Sequence, residues 1–412
     1  MNNKPRFSSF IRARRTILSD SALVGHEDRV SRSPYRGGRA SVKVQDASQP
    51  QSRQISIRRF PNVCHSRQIA LPWPARGDSI TPSPHHPILQ NQAGATPNLP
   101  IIMPRSDGDR QSLHILRQFL GACSAGDDTA ADLLFQLRRH LLFHGVADDQ
   151  NEIRGLIWKT LLGVESVSAE RYCALIRRGP CEQYQKIRSD SFRTFPNEKS
   201  FQNRVSENSM IRLLNSFVHE NAGDGFRYLQ GMNAISGPFL YCMGELDAHA
   251  TFSRFVKVYC PTYWVQSMLG PRAGCILLDQ CLSSIDRELF DYLKSKNLIA
   301  TVYAFPLVSS MLCCLQPFSE VLKLWDFLIA FGLHLNILTI IAQMILIRDS
   351  LIHNPSPNAI LNYRKWPALN AKLTIAVTLD LVNRISPNLM ELIEKHTYST
   401  DSCQQVQSER NP

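Results

Sequence analysis

The chain has 412 residues, 20% of them charged, and its 46 Lys/Arg against 35 Asp/Glu give a formal net charge of +11. That length exceeds what a single hydrophobic core usually serves, so a core domain with a tail, or two domains, is the starting expectation. The charge is uneven: residues 1–110 carry 17 Lys/Arg and 7 Asp/Glu, so the remainder is nearly neutral and lacks the basic stripe of a nucleic-acid-binding domain.

Residues 1–110 also hold 12 of the 24 prolines, with many Ser, Gln and Arg and few apolar residues at any helical period. Such a segment buries too little surface to offset its ordering entropy, and a disordered basic tail is predicted. Within it Phe10–Ile17 is basic and partly amphipathic, a pattern of mitochondrial transit segments and of arms that bind anionic surfaces; a solvated tail is the plainer reading. Residues 1–20 lack the apolar run of a secretory signal, and the eleven cysteines include no C-x-x-C pair. Reduced thiols in a cytoplasmic protein, with no metal site, are expected.

From Ser112 the pattern becomes helical. Apolar residues recur at helical spacing in Leu113–Leu120 and Leu133–Leu142, with Gly145 placed to stop the second run. Helices are predicted over Ile153–Leu162, Ala169–Ile176, Glu198–Glu220, Ala234–Met243 and His249–Tyr259. Further runs cover Tyr263–Leu269, Gly274–Ser295, Pro306–Cys314, Ser319–Phe331, Leu335–His353 and Leu373–Ile385. No alternating stretch of strand length stands out, so the fold class is all-α, with a domain over 111–396 and a disordered tail over 397–412. Phe327–Ile347 carries no Asp, Glu, Lys or Arg over 21 residues, the length of a membrane span. Gly332 divides it, and His334, Asn336, Thr339 and Gln343 lie inside it, so a buried helix pair is predicted and no transmembrane segment.

Three short clusters carry chemistry. In Arg154-Gly-Leu-Ile-Trp158 the Arg and Trp share a helical face, so the guanidinium can lie near the indole and reach a carboxylate beyond it. In Ile187-Arg-Ser-Asp190-Ser-Phe-Arg193-Thr194-Phe-Pro196 the proline disfavours helix at Phe195, which puts Arg193 at the end of a turn with Asp190 one turn back to hold its guanidinium. In Gly223-Asp-Gly225-Phe-Arg-Tyr228-Leu-Gln230-Gly231-Met-Asn233 the glycines make a turn and Gln230 falls at the start of the next helix. Each cluster alone has an ordinary structural explanation: a buried Trp, a surface ion pair worth little, a helix cap.

Together R-x-x-x-W, I-x-x-D-x-x-R-T and Y-x-Q-G-M-N, in this order and spacing, resemble the signature motifs of the TBC domain family, helical GTPase-activating domains acting chiefly on Rab-type GTPases. The resemblance runs from about Leu133 to His396, roughly two thirds of the chain, and includes Lys323-Leu-Trp325-Asp326. It implies that Arg193 is an arginine finger, neutralising charge on the transferring γ-phosphoryl, and that Gln230 orients the attacking water; such fingers are worth about 10³–10⁵ in rate. It further implies that Asp190, Arg154 and Trp158 support the finger's loop and that Thr194, Tyr228, Gly231 and Asn233 shape the cleft wall. The domain needs no cofactor of its own, since GTP and Mg²⁺ are carried by the partner, a small Ras/Rab-like GTPase.

Within the family, Tyr363–Ala371 followed by a last helical region over Leu373–Lys395 resembles the fungal mitotic checkpoint member. That resemblance implies half of a two-component GAP, working with a scaffold subunit at the spindle pole body to restrain mitotic exit or septation. The long basic tail departs from it. The alternatives are a Rab GAP in membrane traffic and a non-catalytic GTPase-binding adaptor, which has no need of both finger residues. A nucleic-acid-binding role is disfavoured, because the tail has few aromatics to stack on bases.

Overall fold

The structure is a computed structural model that describes residues 104–409 apart from 105, 126, 128, 165 and 166. The predicted disorder and the basic segment Phe10–Ile17 fall outside these residues, but 107–110 belong to the first helix. Every regular element among the described residues is helical, as the all-α reading expects.

An N-terminal hairpin, α1 (Asp107–Ala125) and α2 (Ala130–His144), leads into α3 (Asn151–Leu161) and α4 (Ala169–Arg177). Short α5 (Tyr184–Phe192) and α6 (Lys199–Arg204) precede α7 (Glu207–Glu220), α8 (Met232–Cys242) and α9 (Glu245–Arg254). The second half holds α10 (Leu269–Ile285), α11 (Arg287–Ser295), α12 (Ala300–Tyr303), α13 (Phe305–Ser309), α14 (Phe318–Phe331) and α15 (Asn336–Leu346). It ends with α16 (Arg348–Ile352), α17 (Ala371–Val382), α18 (Pro387–Lys395) and α19 (Thr400–Ser408).

The charge-free stretch resolves into the C-terminal part of α14 and all of α15, with Gly332 between them, and most residues of both helices are buried. No helix among the described residues is long and apolar enough to cross a membrane. Trp325 of α14 anchors the core: its ring stacks on Phe255 at 5.5 Å and meets Phe239 and Trp158 at 5.6 and 5.8 Å. Its indole N–H donates to the Met311 carbonyl at 3.0 Å. Cys242 and Cys260 are free thiols in the core, and burial pushes both up to about 12.

Several predicted runs are broken, each by an identifiable local cause. Glu198–Glu220 divides at Val205 and Ser206, whose hydroxyl caps α7 by accepting the Ser209 N–H at 3.1 Å. Gly274–Ser295 divides at Asp286, which caps α11 through the Leu289 N–H at 3.0 Å and also binds the Arg348 guanidinium. The helix expected over Tyr263–Leu269 does not form; Pro261–Tyr263 is a single 3₁₀ turn and Met268 sits at φ 50°. The expected disordered tail over 397–412 is corrected by α19: Cys403 and Val406, one helical turn apart, are fully buried against α10, and Ser399 caps the helix. Its polar composition hides that small apolar stripe.

His334 and His396 are buried near the α14–α15 junction and α18, and burial depresses them to about 3 and 4. The His396 Nδ1–H donates to the Ile393 carbonyl, and Nε2 faces the Tyr263 hydroxyl at 2.8 Å, so the neutral ring is satisfied at both nitrogens. The unfolded chain takes up protons first as pH falls, so this stability is complete above about pH 6.5 and is lost toward pH 4. Urea unfolding at pH 5 should show a loss of about 2 kcal/mol for each of these histidines relative to pH 7, and His334→Gln should remove about half of that pH dependence.

Candidate functional site

The site is built on the C-terminal end of α5 and the loop before α8. Helix α5 buries Ile187, Asp190 and Ser191 on one face and exposes Arg188, Phe192 and Arg193. Arg193 caps the helix at φ −98°, ψ 11°. The chain then turns through Phe195, which lies at φ 46° rather than in the extended region expected before a proline. That left-handed conformation is strained for an aromatic residue. Tertiary packing holds it: the Phe195 ring is 4.9 Å from both Phe201 and Phe318.

Asp190 is the node of the site. Its Oδ1 accepts Nε and Nη2 of Arg193 at 3.1 and 2.6 Å, and its Oδ2 accepts the Tyr228 hydroxyl at 2.8 Å. The Asp190 side chain is 5% exposed and the Arg193 side chain 57%, so a buried anion steers a solvent-facing cation. Burial, reinforced by Asp190, pushes the Tyr228 phenol far above its ordinary range and keeps it a donor. Asn233 completes the connection, donating from Nδ2 to the Thr194 hydroxyl at 2.8 Å and the Asp190 carbonyl at 3.3 Å, while Oδ1 accepts the Gly231 N–H at 3.1 Å. Thr194 in turn donates to the Asp190 carbonyl at 2.8 Å.

Gln230 lies in the turn before α8, two residues ahead of its first helical residue rather than at the start of the helix as expected. The helix begins at Met232, and Gly231 caps it at φ 108°, a conformation that favours glycine. The Gln230 side chain is exposed and has no hydrogen bond among the described residues. Thus two exposed polar side chains, Arg193 and Gln230, project from two loops joined by one hydrogen-bonded network. The Gln183 amide, which the sequence did not single out, clamps the second loop: Oε1 accepts the Tyr228 N–H at 2.7 Å and Nε2 donates to its carbonyl at 3.0 Å.

Tyr228, Thr194 and Asn233 are at most 9% exposed. They lie beneath the surface and support it, which corrects the expectation that they form a cleft wall. Arg154 and Trp158, expected as supports, are both fully buried. The carboxylate that they share is Asp326, in the Trp-Asp run of α14: Arg154 Nε donates to both oxygens at 3.1 Å and Trp158 Nε1 to Oδ1 at 2.8 Å. The other guanidinium nitrogens reach Asn151 Oδ1 at 2.8 Å and the Val146 carbonyl at 2.9 Å.

Burial raises the Asp326 carboxyl above its ordinary value. It also pulls the Arg154 guanidinium down, yet the Asp326 charge holds that group above its own ordinary value. The N–H donors converging on Asp326 favour its charged form and oppose that rise. Gly155, between Arg154 and Trp158, faces the C-terminal end of α8, where a Cβ would stand 2.4 Å from the Cys242 carbonyl oxygen. The first motif therefore fixes α8, and α8 carries the third motif at its N-terminus. No group of three or more His, Cys, Asp or Glu among the described residues is placed to hold a metal ion.

An all-helical domain with these three motifs in one connected frame defines the class of protein: residues 151–352 match the Rab-GTPase-TBC domain model, and the chain belongs to that family. Its fold is similar to crystal structures of the Chlamydomonas flagellar RabGAP TBC domain (TM-score 0.52, 18% identity, 67% of this chain and 96% of that one) and of the Ypt/Rab-GAP domain of Gyp1p (TM-score 0.51, 15% identity, 66% and 97%). Among curated proteins it is similar to cell division control protein 16 of Schizosaccharomyces pombe, at 39% identity over 271 residues, 65% of this chain and 89% of that protein. It is likewise similar to the mitotic check point protein BUB2 of Saccharomyces cerevisiae, at 33% identity over 287 residues, 65% of this chain and 93% of that protein.

Removing one partner of the buried ion pair leaves the other uncompensated. Asp326→Ala should destabilise the domain by about 3–5 kcal/mol in urea unfolding, whereas the double replacement Arg154→Met, Asp326→Leu should cost less. Tyr228→Phe should cost about 1–3 kcal/mol by depriving the Asp190 carboxylate of a buried donor.

Proposed function

We propose that this chain is a GTPase-activating protein that inserts Arg193 and Gln230 into the nucleotide site of a small Ras/Rab-like GTPase, and that it acts in the control of mitotic exit or septation. The observation that carries the reading is the joint placement of these two exposed side chains on loops tied together through Asp190, Tyr228, Asn233 and Thr194. Phosphoryl transfer needs little covalent help; it needs positive charge at the equatorial oxygens and a positioned water. Arg193 supplies the charge and Gln230 the two-sided amide that can hold a water while accepting and donating.

The Arg193–Asp190 ion pair engages Nε and Nη2 and leaves Nη1 without a hydrogen bond among the described residues. An ion pair with a half-exposed guanidinium is worth about 1 kcal/mol or less, so exchanging Asp190 for phosphate oxygens is inexpensive. The names of the relatives, a cell division control protein and a mitotic check point protein, support the cell-cycle assignment. In that setting the chain would act in the cytoplasm at the spindle pole body, with a scaffold subunit as the second component of the GAP.

Single-turnover GTP hydrolysis on a panel of Ras-like and Rab GTPases, with and without candidate scaffold proteins, tests the reading. Arg193→Ala should lower the stimulated rate by about 10³-fold or more, and Gln230→Ala should do nearly the same, both with unchanged thermal unfolding. Arg193→Lys should not rescue, because an ammonium cannot reproduce the planar fork. Full activity of both alanine variants toward the stimulated GTPase would refute the mechanism.

A further inference from the structure

Among the large hydrophobic residues of the described chain, Phe192 is the most exposed, at 78%. It occupies the last position of α5, immediately before Arg193. The helix does not need an aromatic there: its buried face is made by Ile187, Asp190 and Ser191, and Phe192 shares the opposite face with Arg188, four residues earlier. No ring or cation among the described residues covers it, whereas Phe143, at 62% exposure, lies 5.9 Å beneath the Arg139 guanidinium.

A solitary exposed apolar side chain needs no explanation on a soluble protein. What distinguishes Phe192 is its attachment. Its flanking residues are Ser191, which is buried, and Arg193, whose guanidinium is held by the buried Asp190 carboxylate. The Phe192 Cα is about 3.8 Å from that of Arg193, so a body that receives the Arg193 side chain comes within reach of the Phe192 ring. The Asp190–Tyr228–Asn233 network holds this end of α5 against the Gln230 loop, so the ring sits on a rigid support. Aromatic and arginine side chains near the centre of an interface carry much of its binding energy.

We propose that Phe192 is a docking knob that packs into an apolar pocket bordering the nucleotide cleft of the partner GTPase, and that it contributes affinity without taking part in hydrolysis. This inference rests on the GTPase-activating reading above. Arg193 and Gln230 act on the transition state, so their loss lowers the maximal rate; Phe192 acts on the encounter complex, so its loss raises the concentration needed to reach that rate. The partner class is correspondingly narrowed to small GTPases with an apolar surface beside the γ-phosphate.

The test uses the full chain and the GTPase that it stimulates most across the Ras-like and Rab panel. Single-turnover hydrolysis is titrated with the unaltered chain, Phe192→Ala, Phe192→Leu and Phe143→Ala. Phe192→Ala should raise the half-saturating concentration roughly tenfold, equivalent to about 1.4 kcal/mol, with the plateau rate kept within about twofold. Phe192→Leu should recover part of the loss and Phe143→Ala should change nothing. Binding to the GTPase loaded with GDP and aluminium fluoride should weaken in parallel.

Because Phe192 is exposed, unchanged thermal unfolding is expected and serves as the folding control. An unaltered half-saturating concentration for Phe192→Ala would overturn the docking role while leaving the finger mechanism intact. A reduced plateau at unchanged half-saturation would also overturn it, marking Phe192 instead as a support for Arg193. If the unaltered chain accelerates none of the GTPases, the activating function and the docking role fall together, a result distinct from either of these.

Discussion

The Asp326 carboxylate, buried in α14 and met by the Arg154 guanidinium and the Trp158 indole, is the constraint from which the site is hung. A buried ion pair is not a strong source of net stability, because desolvation offsets much of its attraction. Its contribution here is to orientation. The arms of Arg154 also hold Asn151 and the Val146 carbonyl, so α3 has one rotational setting on α14. In that setting Gly155 meets the end of α8 and Trp158 packs on Phe239 of the same helix. The loop that carries Gln230 is thereby positioned from its far end.

A second carboxylate repeats this logic nearer the surface with a different balance. Asp190 is almost as buried as Asp326, but its cation faces solvent. The buried pair is permanent because neither partner has an alternative; the outer pair is weak because water and salt compete for Arg193. The domain thus combines a rigid anchor with an arginine whose direction is set and whose bond is easily exchanged. Strain at Phe195, offset by its packing on Phe201 and Phe318, fixes where the chain leaves α5.

The parts of this arrangement that depend on neighbours in the chain were legible in the sequence. Asp190 and Arg193 are one turn apart, and their pairing follows from helical spacing. The helix class follows from periodicity, and Gly145 does end α2. Contacts between distant residues were not legible in the same way. Arg154 and Trp158 announce a shared face, but nothing local names Asp326, and the Gln183 clamp on Tyr228 has no sequence signal. Pro196 does keep Phe195 out of the helix, which ends at Phe192, but the left-handed setting of Phe195 comes from aromatic packing and has no local signal. Helix α19 was missed because Cys403 and Val406 make too short a stripe to register among Ser, Gln and Asp.

The sequence separation of the anchor has a consequence for how the protein is made. Arg154 and Asp326 are 172 residues apart, and at about 5–20 residues per second of synthesis the first waits on the order of 10–30 s for the second to emerge. During that interval the segment of α3 has a guanidinium and an indole with no carboxylate to receive them, and the glycine that should press on α8 has no defined register. The buried ion pair of the first motif is therefore completed only once the second half of the chain supplies its anion.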